Sequence, residues 1–376
     1  MTVNLLADQY LQYLDELLPE EVRLTRFDPA KGLPDHTSSF NALLVRTVTP
    51  INAESLPDVG KLKFIGTGTA GTDHIDHGFL KREGVAFSQS EGCNANAVAE
   101  FVITGLFYWA WKTDTDLYSK KVGVVGCGNT GGSVIRLLKK LNIDYVAYDP
   151  PKAESETGFI SAAEAELLKA DILTFHTPLN PSGKHPTVHL ADKKWLQNGF
   201  DLIINTSRGG VVNEKSMFEL WQSQAIRNYI LDVWEGEPDF NNQIAKHALI
   251  ATPHIAGYSE EAKFKATEIV LSKLLNFFDL NVNPNARPKQ FKASQFKYSS
   301  GYSIAELLWQ NNQINFYDTE LRKLIGLPSE KKSKGFADLR SKTALRHEYS
   351  AMLKSKEVQQ NAPQEFQIFD HSATDK

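Results

Sequence analysis

Apolar positions in the middle of the chain change their spacing twice, which predicts a strand, a helix and a second strand. The run Lys121–Val125 is almost entirely apolar, as in a buried strand. Helical spacing follows, with apolar side chains at Val134, Leu137, Leu138 and Leu141. Tyr145–Tyr148 then predicts the second strand, which ends at Asp149.

The N-terminal part of the chain alternates short apolar runs with helical patterns. Such alternation is typical of βα units, so a small parallel sheet is predicted. The predicted strands are Val3–Ala7, Ala42–Val45 and Lys63–Gly66, and the predicted helices lie near Tyr10–Leu18 and Ala53–Leu56.

The same alternation continues beyond Asn94, which predicts a larger, doubly wound parallel sheet. An apolar helix over Asn94–Trp111 is expected to be buried, because it carries hardly any polar face. Further strands are predicted at Asp171–His176, Leu202–Asn205, Tyr229–Val233 and Ala248–Thr252, and further helices near Ala162–Lys169, Asp192–Gln197, Lys215–Gln222 and Glu260–Leu280.

Composition excludes several classes of protein. The 376 residues, 41% of them hydrophobic, are enough for two or three domains, and a net charge of -4 argues against a nucleic-acid surface. Two lone cysteines, Cys93 and Cys127, support neither a disulfide framework nor a zinc site. No signal sequence or membrane span is evident, so a cytoplasmic protein without membrane partners is expected.

The turn after the first central strand reads Gly126-Cys127-Gly128-Asn129-Thr130-Gly131. Three glycines can mark an ordinary strand-helix turn, but together with the strand, the helix and Asp149 they favour a dinucleotide site. Gly126 permits the sharp turn, Gly128 the approach of a pyrophosphate, and Gly131 close helix packing. Asp149 would accept hydrogen bonds from ribose hydroxyls and repel a 2′-phosphate, which favours NAD over NADP; alternatively it is a turn residue.

Three later strand ends carry the groups that oxidation of a 2-hydroxy acid requires. Arg208 could hold a carboxylate, His254 could move the hydroxyl proton, and Glu237 could orient the imidazole. Asp232 would then face the nicotinamide or its ribose. Each residue alone is more often structural, as a salt-bridge partner, a loop acid or a core histidine; the joint pattern behind a dinucleotide turn favours catalysis.

Two loops of the N-terminal half are rich in hydroxyl groups and backbone N–H groups, and they contain Thr47 and Thr69. Loops at carboxyl strand ends bind ligands in open α/β sheets, although ordinary polar turns have the same composition. His74 and His77 lie beside two aspartates, but no full ligand set accompanies them, so no metal site is predicted.

These residues lie within motifs that resemble the D-2-hydroxyacid dehydrogenases. The matching stretches are LLVRTVTPIN, FIGTGTAGTDHID, EGCNANAVAEF, DILTFHTPL, LDVWEGEP and HIAGYS, over roughly residues 40–260. The resemblance implies that Arg208, Glu237 and His254 are catalytic and that the substrate is a phosphorylated 2-hydroxy acid.

The resemblance also implies the binding residues. Substrate would contact Thr47, Thr69 and Tyr258, with Thr47 standing where the family is expected to have a serine. NAD would contact Gly126, Gly128, Asn129, Thr130, Gly131, Asp149, Thr177, Ser207, Asp232 and Gly257. The substrate phosphate needs further cations, for which Arg46, or Arg346 from a partner subunit, are candidates.

The implied architecture has three parts. These are a flavodoxin-like substrate-binding domain (1–93 and 256–285), an NAD-binding Rossmann domain (94–255) and a C-terminal α+β dimerisation domain (286–376), giving a homodimer. The composition of NVNPNARPKQF predicts a linker before helices over 300–360, and a frayed or weakly packed tail over 362–376.

Two alternatives remain open from the sequence. One is another dehydrogenase of the family, of the phosphoglycerate type, which the C-terminal extension and the tyrosine of HIAGYS disfavour. The other is a non-catalytic NAD-sensing interaction protein on the same fold. A sensor would need the dinucleotide turn but not Arg208, Glu237 and His254.

Overall fold

The chain divides into two compact units, one formed by Met1–Asn94 with Glu260–Lys292 and the other by Ala95–Ser259 with Ala293–Lys376. The computed structural model describes residues 2–281, 297, 301–342, 344–354, 358 and 364–370. The C-terminal elements belong to the second unit, and a separate dimerisation domain stays a prediction. The predicted linker, from residue 282 to its end, lies outside the described residues.

The first unit is built on a five-stranded parallel sheet with the order β2-β1-β3-β4-β5. This is the order of flavodoxin-like folds, as predicted. Its strands are β1 (Val3–Asp8), β2 (Val22–Phe27), β3 (Ala42–Val45), β4 (Phe64–Thr67) and β5 (Ala86–Gln89). Its helices are α1 (Leu14–Leu17), α2 (His77–Arg82) and α10 (Glu260–Phe277), with 3₁₀ turns at Pro29–Lys31 and Thr37–Ser39.

Helix α10 returns to cover one face of this sheet. Its apolar side chains form a core cluster with residues of β1, β3 and β4. Gly66 permits the close approach, because a Cβ there would lie 2.5 Å from Val270 Cγ2. The prediction of a helix over Glu260–Leu280 in this region is confirmed.

The predicted helix at Ala53–Leu56 is wrong, because that segment forms a turn. Asn52 accepts hydrogen bonds from the backbone N–H groups of Glu54 and Ser55, and Ser55 Oγ donates to the Pro50 carbonyl. Local side-chain bonds of this kind compete with a helix. Strands β2 and β5 were not predicted. They are the edges of the sheet, and polar residues interrupt their apolar pattern.

The second unit contains a six-stranded parallel sheet with the order β11-β10-β9-β8-β6-β7. The order reverses beside β6, between its neighbours β7 and β8, and ligands of such sheets bind at the carboxyl ends of the strands near this point. The strands are β6 (Lys121–Val125), β7 (Asp144–Tyr148), β8 (Ile172–Phe175), β9 (Phe200–Asn205), β10 (Ile226–Leu231) and β11 (Ile250–Ala251). The predicted doubly wound α/β fold is confirmed.

Helices surround this sheet. Up to residue 259 they are α3 (Ala95–Thr113), α4 (Asn129–Lys140), α5 (Pro150–Ser155), α6 (Glu164–Leu167), α7 (Lys193–Leu196), α8 (Glu214–Gln222) and α9 (Asn242–His247), with a 3₁₀ turn at Leu117–Ser119. After residue 300 they are α11 (Ile304–Asn311), α12 (Ile314–Arg322), α13 (Ser329–Lys342) and α14 (Tyr349–Met352), and a 3₁₀ helix at Gln364–Phe369. The described part of the C-terminal region therefore contains helices and no strand, and its predicted α+β character is not seen there.

The C-terminal region is anchored on the buried helix α3. Arg346 is 6% exposed and donates to Glu100 Oε2 at 2.6 Å and to the Ala97 carbonyl at 2.8 Å. The hypothesis that Arg346 reaches a partner's substrate is therefore wrong, because its guanidinium is committed within its own chain. The prediction of a weakly packed tail is also wrong for 364–370, where Phe366 and Phe369 are fully buried against Tyr349. Residues 371–376 lie outside the described residues.

Neither a membrane-spanning helix nor a metal-binding cluster occurs in the described part of the chain. None of its helices combines the length and the apolar character needed to cross a lipid bilayer. The same residues contain no group of three or more His, Cys, Asp and Glu side chains arranged to hold a metal ion.

Candidate active site

The glycine turn after β6 has the tight geometry that the sequence predicts. Gly126 has a φ of +85°, and a Cβ there would lie 2.8 Å from Thr177 Cγ2. At Gly131 a Cβ would come within 1.9 Å of the Gly126 carbonyl oxygen, so only glycine lets α4 begin this close to the strand. At Gly128, by contrast, a Cβ would meet no described atom within 4 Å. Open space therefore lies beside the turn.

Asp149 lies directly beside this turn. Its Oδ2 accepts a hydrogen bond from the Cys127 backbone N–H at 2.7 Å, and its Oδ1 caps α5 through the Lys152 N–H at 3.0 Å. Lys152 Nζ in turn donates to the Cys127 carbonyl at 2.9 Å. Asp149 is thus both a helix cap and a carboxylate held against the glycine turn, and these two roles are compatible.

The residues around the turn fit a bound dinucleotide. Thr177, in the loop after β8, has a buried hydroxyl oxygen with no hydrogen-bond partner among the described residues. A buried polar atom without a partner costs free energy, which a ligand that bonds to it removes. The N-cap of α4 is Gly128, which offers no capping side chain, so an anion can approach the start of this helix. The open space, the unpartnered hydroxyl and the uncapped helix together match NAD.

Backbone hydrogen bonds join the three strand ends that carry the predicted catalytic residues. The Asp232 N–H donates to the Asn205 carbonyl at 3.0 Å, and the His254 N–H donates to the Asp232 carbonyl at 2.7 Å. Since β9, β10 and β11 are parallel neighbours, their carboxyl ends lie side by side. The segments of Arg208, Glu237 and His254 are therefore brought to one edge of the sheet.

Asn205 fixes the loop that carries Arg208. Its Oδ1 accepts from the backbone N–H of Ser207 at 3.1 Å and from Ser207 Oγ at 2.8 Å, while its Nδ2 donates to the Arg208 carbonyl at 3.0 Å. The Arg208 side chain then donates to the Ser207 carbonyl at 2.8 Å. Asn205 was not predicted as a site residue, since its role depends on a loop conformation that its sequence position does not reveal.

Gly209 lets the Arg208 loop pack against the segment after β10. A Cβ at Gly209 would lie 1.9 Å from the Trp234 carbonyl oxygen and 2.3 Å from the carbonyl carbon. No side chain fits there unless the backbone moves. The Trp234 ring is itself fixed, because Nε1 donates to the Thr252 carbonyl at 2.9 Å.

Replacing Gly209 with alanine is expected to separate these two segments. We expect kcat/KM to fall by about 100-fold, because displacing a positioning group by about 1 Å has an effect of this size. The affinity for NAD should change less, because most of the proposed NAD contacts lie around the glycine turn after β6 and only Ser207 lies in this loop. Steady-state kinetics and an NAD titration of Gly209→Ala check this, and unchanged kcat/KM in a folded variant would contradict it.

Asp232 organises the turn that precedes and includes His254. It is 1% exposed, and its Oδ1 accepts from Thr252 Oγ1 at 2.6 Å and from the Ile255 N–H at 2.8 Å. Its Oδ2 accepts from the Ala256 N–H at 2.9 Å. Burial raises the pKa of Asp232, whereas the nearby His254 and these hydrogen bonds act against that shift. Asp232 therefore holds the turn in place, and a contact to NAD stays a prediction for it.

His254 and Glu237 form a direct pair. His254 Nδ1 lies 2.6 Å from Glu237 Oε1, and the two side chains are 27% and 26% exposed. Burial alone would raise the pKa of Glu237, but the hydrogen bond and attraction to His254, together with the charge of Arg340, lower it. His254 also adopts a φ of +57°, a left-handed conformation that histidine tolerates better than most residues. The pair is thus a carboxylate that orients an imidazole.

A second acid, Glu214, ties α8 to the loop of Glu237 and was not predicted. Glu214 Oε1 accepts from the Glu235 N–H at 2.5 Å, and Glu235 Oε1 accepts from the Glu214 N–H at 3.1 Å. Glu214 is 3% exposed. Burial raises its pKa to about 8; the bond from Glu235 N–H opposes this shift, and the charges of Glu235 and Glu237 add to it.

The raised pKa of Glu214 predicts a loss of stability with rising pH. Below pH 4.5, its pKa in the unfolded chain, Glu214 is protonated in both the folded and the unfolded protein. Above that pH the carboxyl loses its proton in the unfolded chain first, which favours unfolding. Stability contributed by this group is therefore lost between about pH 5 and 8, at about 1.4 kcal/mol for each unit between the two pKa values. In urea unfolding, the free energy of unfolding of the Glu214→Gln variant should depend less steeply on pH than that of the wild type. Glu219→Gln, an exposed residue of α8, is the control, and equal slopes for Glu214→Gln and wild type would contradict the account.

The predicted substrate residues of the first unit lie at its strand ends. Thr69 Oγ1 donates to the Gly71 carbonyl at 3.0 Å and lies 2.8 Å from Thr67 Oγ1. Thr47 is exposed in the loop after β3. Neighbouring Arg46 pairs with the buried Asp8, with Nε 2.9 Å from Oδ2. Tyr258, the third predicted substrate residue, belongs to the second unit.

The Rossmann sheet, the glycine turn and the paired histidine and glutamate define a class of NAD-dependent oxidoreductases, and comparison with known proteins agrees. Residues 101–256 match the family described as D-isomer specific 2-hydroxyacid dehydrogenase, NAD binding domain. An Escherichia coli protein named erythronate-4-phosphate dehydrogenase is 34% identical over 360 residues, which cover 93% of each chain. Its namesake from Psychromonas ingrahamii is 31% identical over 362 residues, covering 96% of this chain and 94% of that one. The chain therefore belongs to the D-2-hydroxyacid dehydrogenase family, in the branch of the erythronate-4-phosphate dehydrogenases.

Solved structures share the fold at lower identity. An acyclic imino acid reductase in complex with NADPH and D-Arg is 22% identical with a TM-score of 0.61, and the alignment covers 74% of this chain and 99% of that one. D-lactate dehydrogenase from Aquifex aeolicus, complexed with NAD and lactic acid, is 21% identical with a TM-score of 0.56, covering 73% and 95%. These similarities support the α/β architecture.

Proposed function

We propose that this protein oxidises 4-phospho-D-erythronate to (R)-3-hydroxy-2-oxo-4-phosphobutanoate with NAD, a step of pyridoxal 5′-phosphate (vitamin B6) biosynthesis. The observation that carries the proposal is the 2.6 Å pair of His254 Nδ1 and Glu237 Oε1 at the strand ends that also carry Arg208. The Escherichia coli relative named erythronate-4-phosphate dehydrogenase, which matches 93% of this chain, supports the choice of substrate.

His254 is the proposed proton acceptor. Because Nδ1 faces the Glu237 carboxylate, Nδ1 carries a proton and Nε2 is the nitrogen left to act as a base. Nε2 would take the proton of the C2 hydroxyl during oxidation and return it in the reverse reaction. The Glu237 carboxylate would stabilise the resulting imidazolium without taking its proton.

Arg208 is the proposed group that holds the substrate at its reacting end. A guanidinium can donate two parallel hydrogen bonds to a carboxylate and still polarise a neighbouring oxygen. Its loop is fixed by Asn205 and Gly209, so the guanidinium would be positioned before the substrate arrives. Such preorganisation lowers the cost of reaching the transition state.

The NAD contacts are proposed on the residues that surround the glycine turn. The backbone around Gly128–Gly131 would hold the pyrophosphate, Asp149 the ribose hydroxyls, and Thr177 would use its buried hydroxyl. Bound NAD supplies the acceptor for the hydrogen of C2 as hydride. Ser207, Asp232 and Gly257 complete the proposed set.

The substrate contacts and the assembly are also proposals. Thr47, Thr69 and Tyr258 would donate hydrogen bonds to substrate oxygens, with the methyl group of Thr47 filling space that a serine would leave open. A homodimer formed through the C-terminal region is proposed. We further propose a cytoplasmic location, which agrees with the free thiols of the buried Cys93 and Cys127.

A substrate panel tests the function. Purified protein should reduce NAD with 4-phospho-D-erythronate at a kcat/KM at least about 100-fold above that with 3-phosphoglycerate or D-lactate, since an unmatched polar group costs discrimination of this order. Preference for 3-phosphoglycerate would assign the protein to a different member of the family. NAD binding without turnover of any 2-hydroxy acid would favour a sensor.

A further inference from the structure

Arg340, near the end of α13, lies beside the proposed active site of the second unit. Its guanidinium carbon is 5.8 Å from the centre of the Tyr258 ring, within the range of a cation–π contact. Its charge also acts on the Glu237 carboxylate. The C-terminal region therefore contributes a cation next to two residues of the HIAGYS and LDVWEGEP segments.

The guanidinium of Arg340 has no hydrogen-bonded partner within the described part of the chain. Its Nε is buried without a hydrogen bond, and the side chain forms no salt bridge among the residues that the structure describes. The other two arginines of this region that the structure describes, Arg322 and Arg346, are hydrogen-bonded to groups of their own chain. Arg346 pairs with Glu100, and Arg322 bonds to Asp318 and to the carbonyls of Ala245, Lys246 and Ala248.

An arginine that is partly buried and has free donors is a costly arrangement in a stable protein. Burying a donor without a partner has a free-energy cost, and the fork of a guanidinium matches phosphate and carboxylate anions. Glu237 does not satisfy it, because that carboxylate bonds to His254 and to the Trp234 N–H. An anionic ligand could therefore accept the hydrogen bonds that the Arg340 guanidinium does not make within the described part of the chain.

The proposed substrate carries two anionic groups, and Arg208 accounts for one. A carboxylate next to the reacting carbon and a phosphate two carbons beyond it need separate cations, since their charges repel one another. Of the two cations considered from the sequence, Arg346 is buried against Glu100 and Arg46 is paired with Asp8. Arg340 is free of such pairing among the described residues and lies beside Tyr258, itself a proposed substrate residue.

We propose that Arg340 binds the phosphate group of the phosphorylated 2-hydroxy acid and so contributes to the selection of a phosphate monoester over the free acid. This inference rests on the proposed function for its substrate. It assigns to α13 a part in substrate binding within the same chain. Arg340 acts in binding and takes no part in the transfer of the C2 proton.

Kinetics of Arg340→Ala and Arg340→Lys on two substrates test the proposal. For 4-phospho-D-erythronate, Arg340→Ala should raise KM by about 10- to 100-fold, the range expected for losing a charged hydrogen bond, with kcat changed less than about threefold. The kcat/KM for D-erythronate, which has no phosphate, should stay within about twofold. Arg340→Lys should recover part of the loss, because a lysine restores the charge but not the fork.

Lys334→Ala is the matched control, because Lys334 is an exposed cation of the same helix that pairs with Asp338. It should leave the constants for both substrates unchanged. An equal loss on both substrates with Arg340→Ala, or a fall in kcat without a rise in KM, would show that Arg340 instead positions Glu237 or Tyr258. An unchanged KM for the phosphorylated acid in a folded variant would also overturn the proposal.

A binding measurement separates this inference from the proposed function. Inorganic phosphate should bind the wild-type protein in the presence of NAD, measured by calorimetry, and Arg340→Ala should weaken that binding by about 10-fold or more. This result is independent of which 2-hydroxy acid is oxidised. If the wild type oxidises only unphosphorylated acids, the proposed substrate fails, and equal phosphate affinity of the wild type and Arg340→Ala would overturn the anion site as well.

Discussion

His254→Ala should lower kcat for 4-phospho-D-erythronate by about 10³- to 10⁴-fold, near the upper end of what general acid–base catalysis contributes. The reason is geometric: Glu237 Oε1 lies 2.6 Å from Nδ1 of the imidazole, which leaves Nε2 as the proposed base. The dinucleotide turn follows β6, on another strand of the sheet, so NAD affinity should change by less than about threefold. Stopped-flow formation of NADH and a fluorescence titration with NAD measure the two quantities.

His189 provides a matched control for this variant. It is also a histidine with a positive φ, at +51°, and its Nε2 lies 3.0 Å from the carboxylate of Glu235. The resemblance assigns it no catalytic role, so His189→Ala should keep kcat within about threefold of the wild type. Comparable losses in the two variants would show that any disturbance next to the Glu235–Glu237 segment, which both histidines contact, stops turnover, and would remove the argument for His254 as the base.

Arg208→Lys should lower kcat/KM by about 10²- to 10³-fold, although it keeps the positive charge. Lysine is a point charge and cannot donate two parallel hydrogen bonds to a carboxylate while polarising the adjacent oxygen. Loss of one preorganised donor at a reacting oxygen has an effect of this size. Both kcat and KM should change, because the same group would bind the substrate and stabilise the transition state. Steady-state kinetics across substrate concentrations measure the change.

A surface arginine of the same unit controls for the substitution itself. Arg227 is 72% exposed and pairs with Asp201, so Arg227→Lys should leave kcat/KM within about twofold of the wild type. Addition of guanidinium ion should also partly restore the activity of an Arg208→Ala variant. If Arg208→Lys retained full activity, charge alone would suffice and the forked hydrogen bonds would have no role.

The sequence predicted the parts of the fold that depend on local spacing. The strand Lys121–Val125 and the close packing at Gly126 and Gly131 follow from apolar periodicity and from where a Cβ fits, and both are found in the structure. The pairing of Glu237 with His254 was also predicted, although these residues are distant in sequence. That prediction was possible because the carboxyl ends of parallel strands meet at one edge of a sheet.

The missed features depend on contacts between segments that no local pattern records. Gly209 reads as an ordinary loop glycine until the Trp234 carbonyl is found against it, and Glu214 reads as a helix-start acid until Glu235 is found to bond with it. Arg346 was considered a phosphate ligand because its charge alone was visible; its partner, Glu100, lies on a helix read as a uniformly apolar core element. Tertiary pairing, rather than composition, decides the role of each of these residues.

Transfer of deuterium from C2 of the substrate tests the central claim most directly. With 4-phospho-D-erythronate deuterated at C2, the wild-type protein should form NADH that carries the label, and the same experiment with His254→Ala should yield almost none in the same time. This result would link the reacting carbon, the cofactor and the His254–Glu237 pair. Turnover that releases the label to solvent and forms unlabelled NADH, or labelled NADH formed equally fast by His254→Ala, would contradict the account.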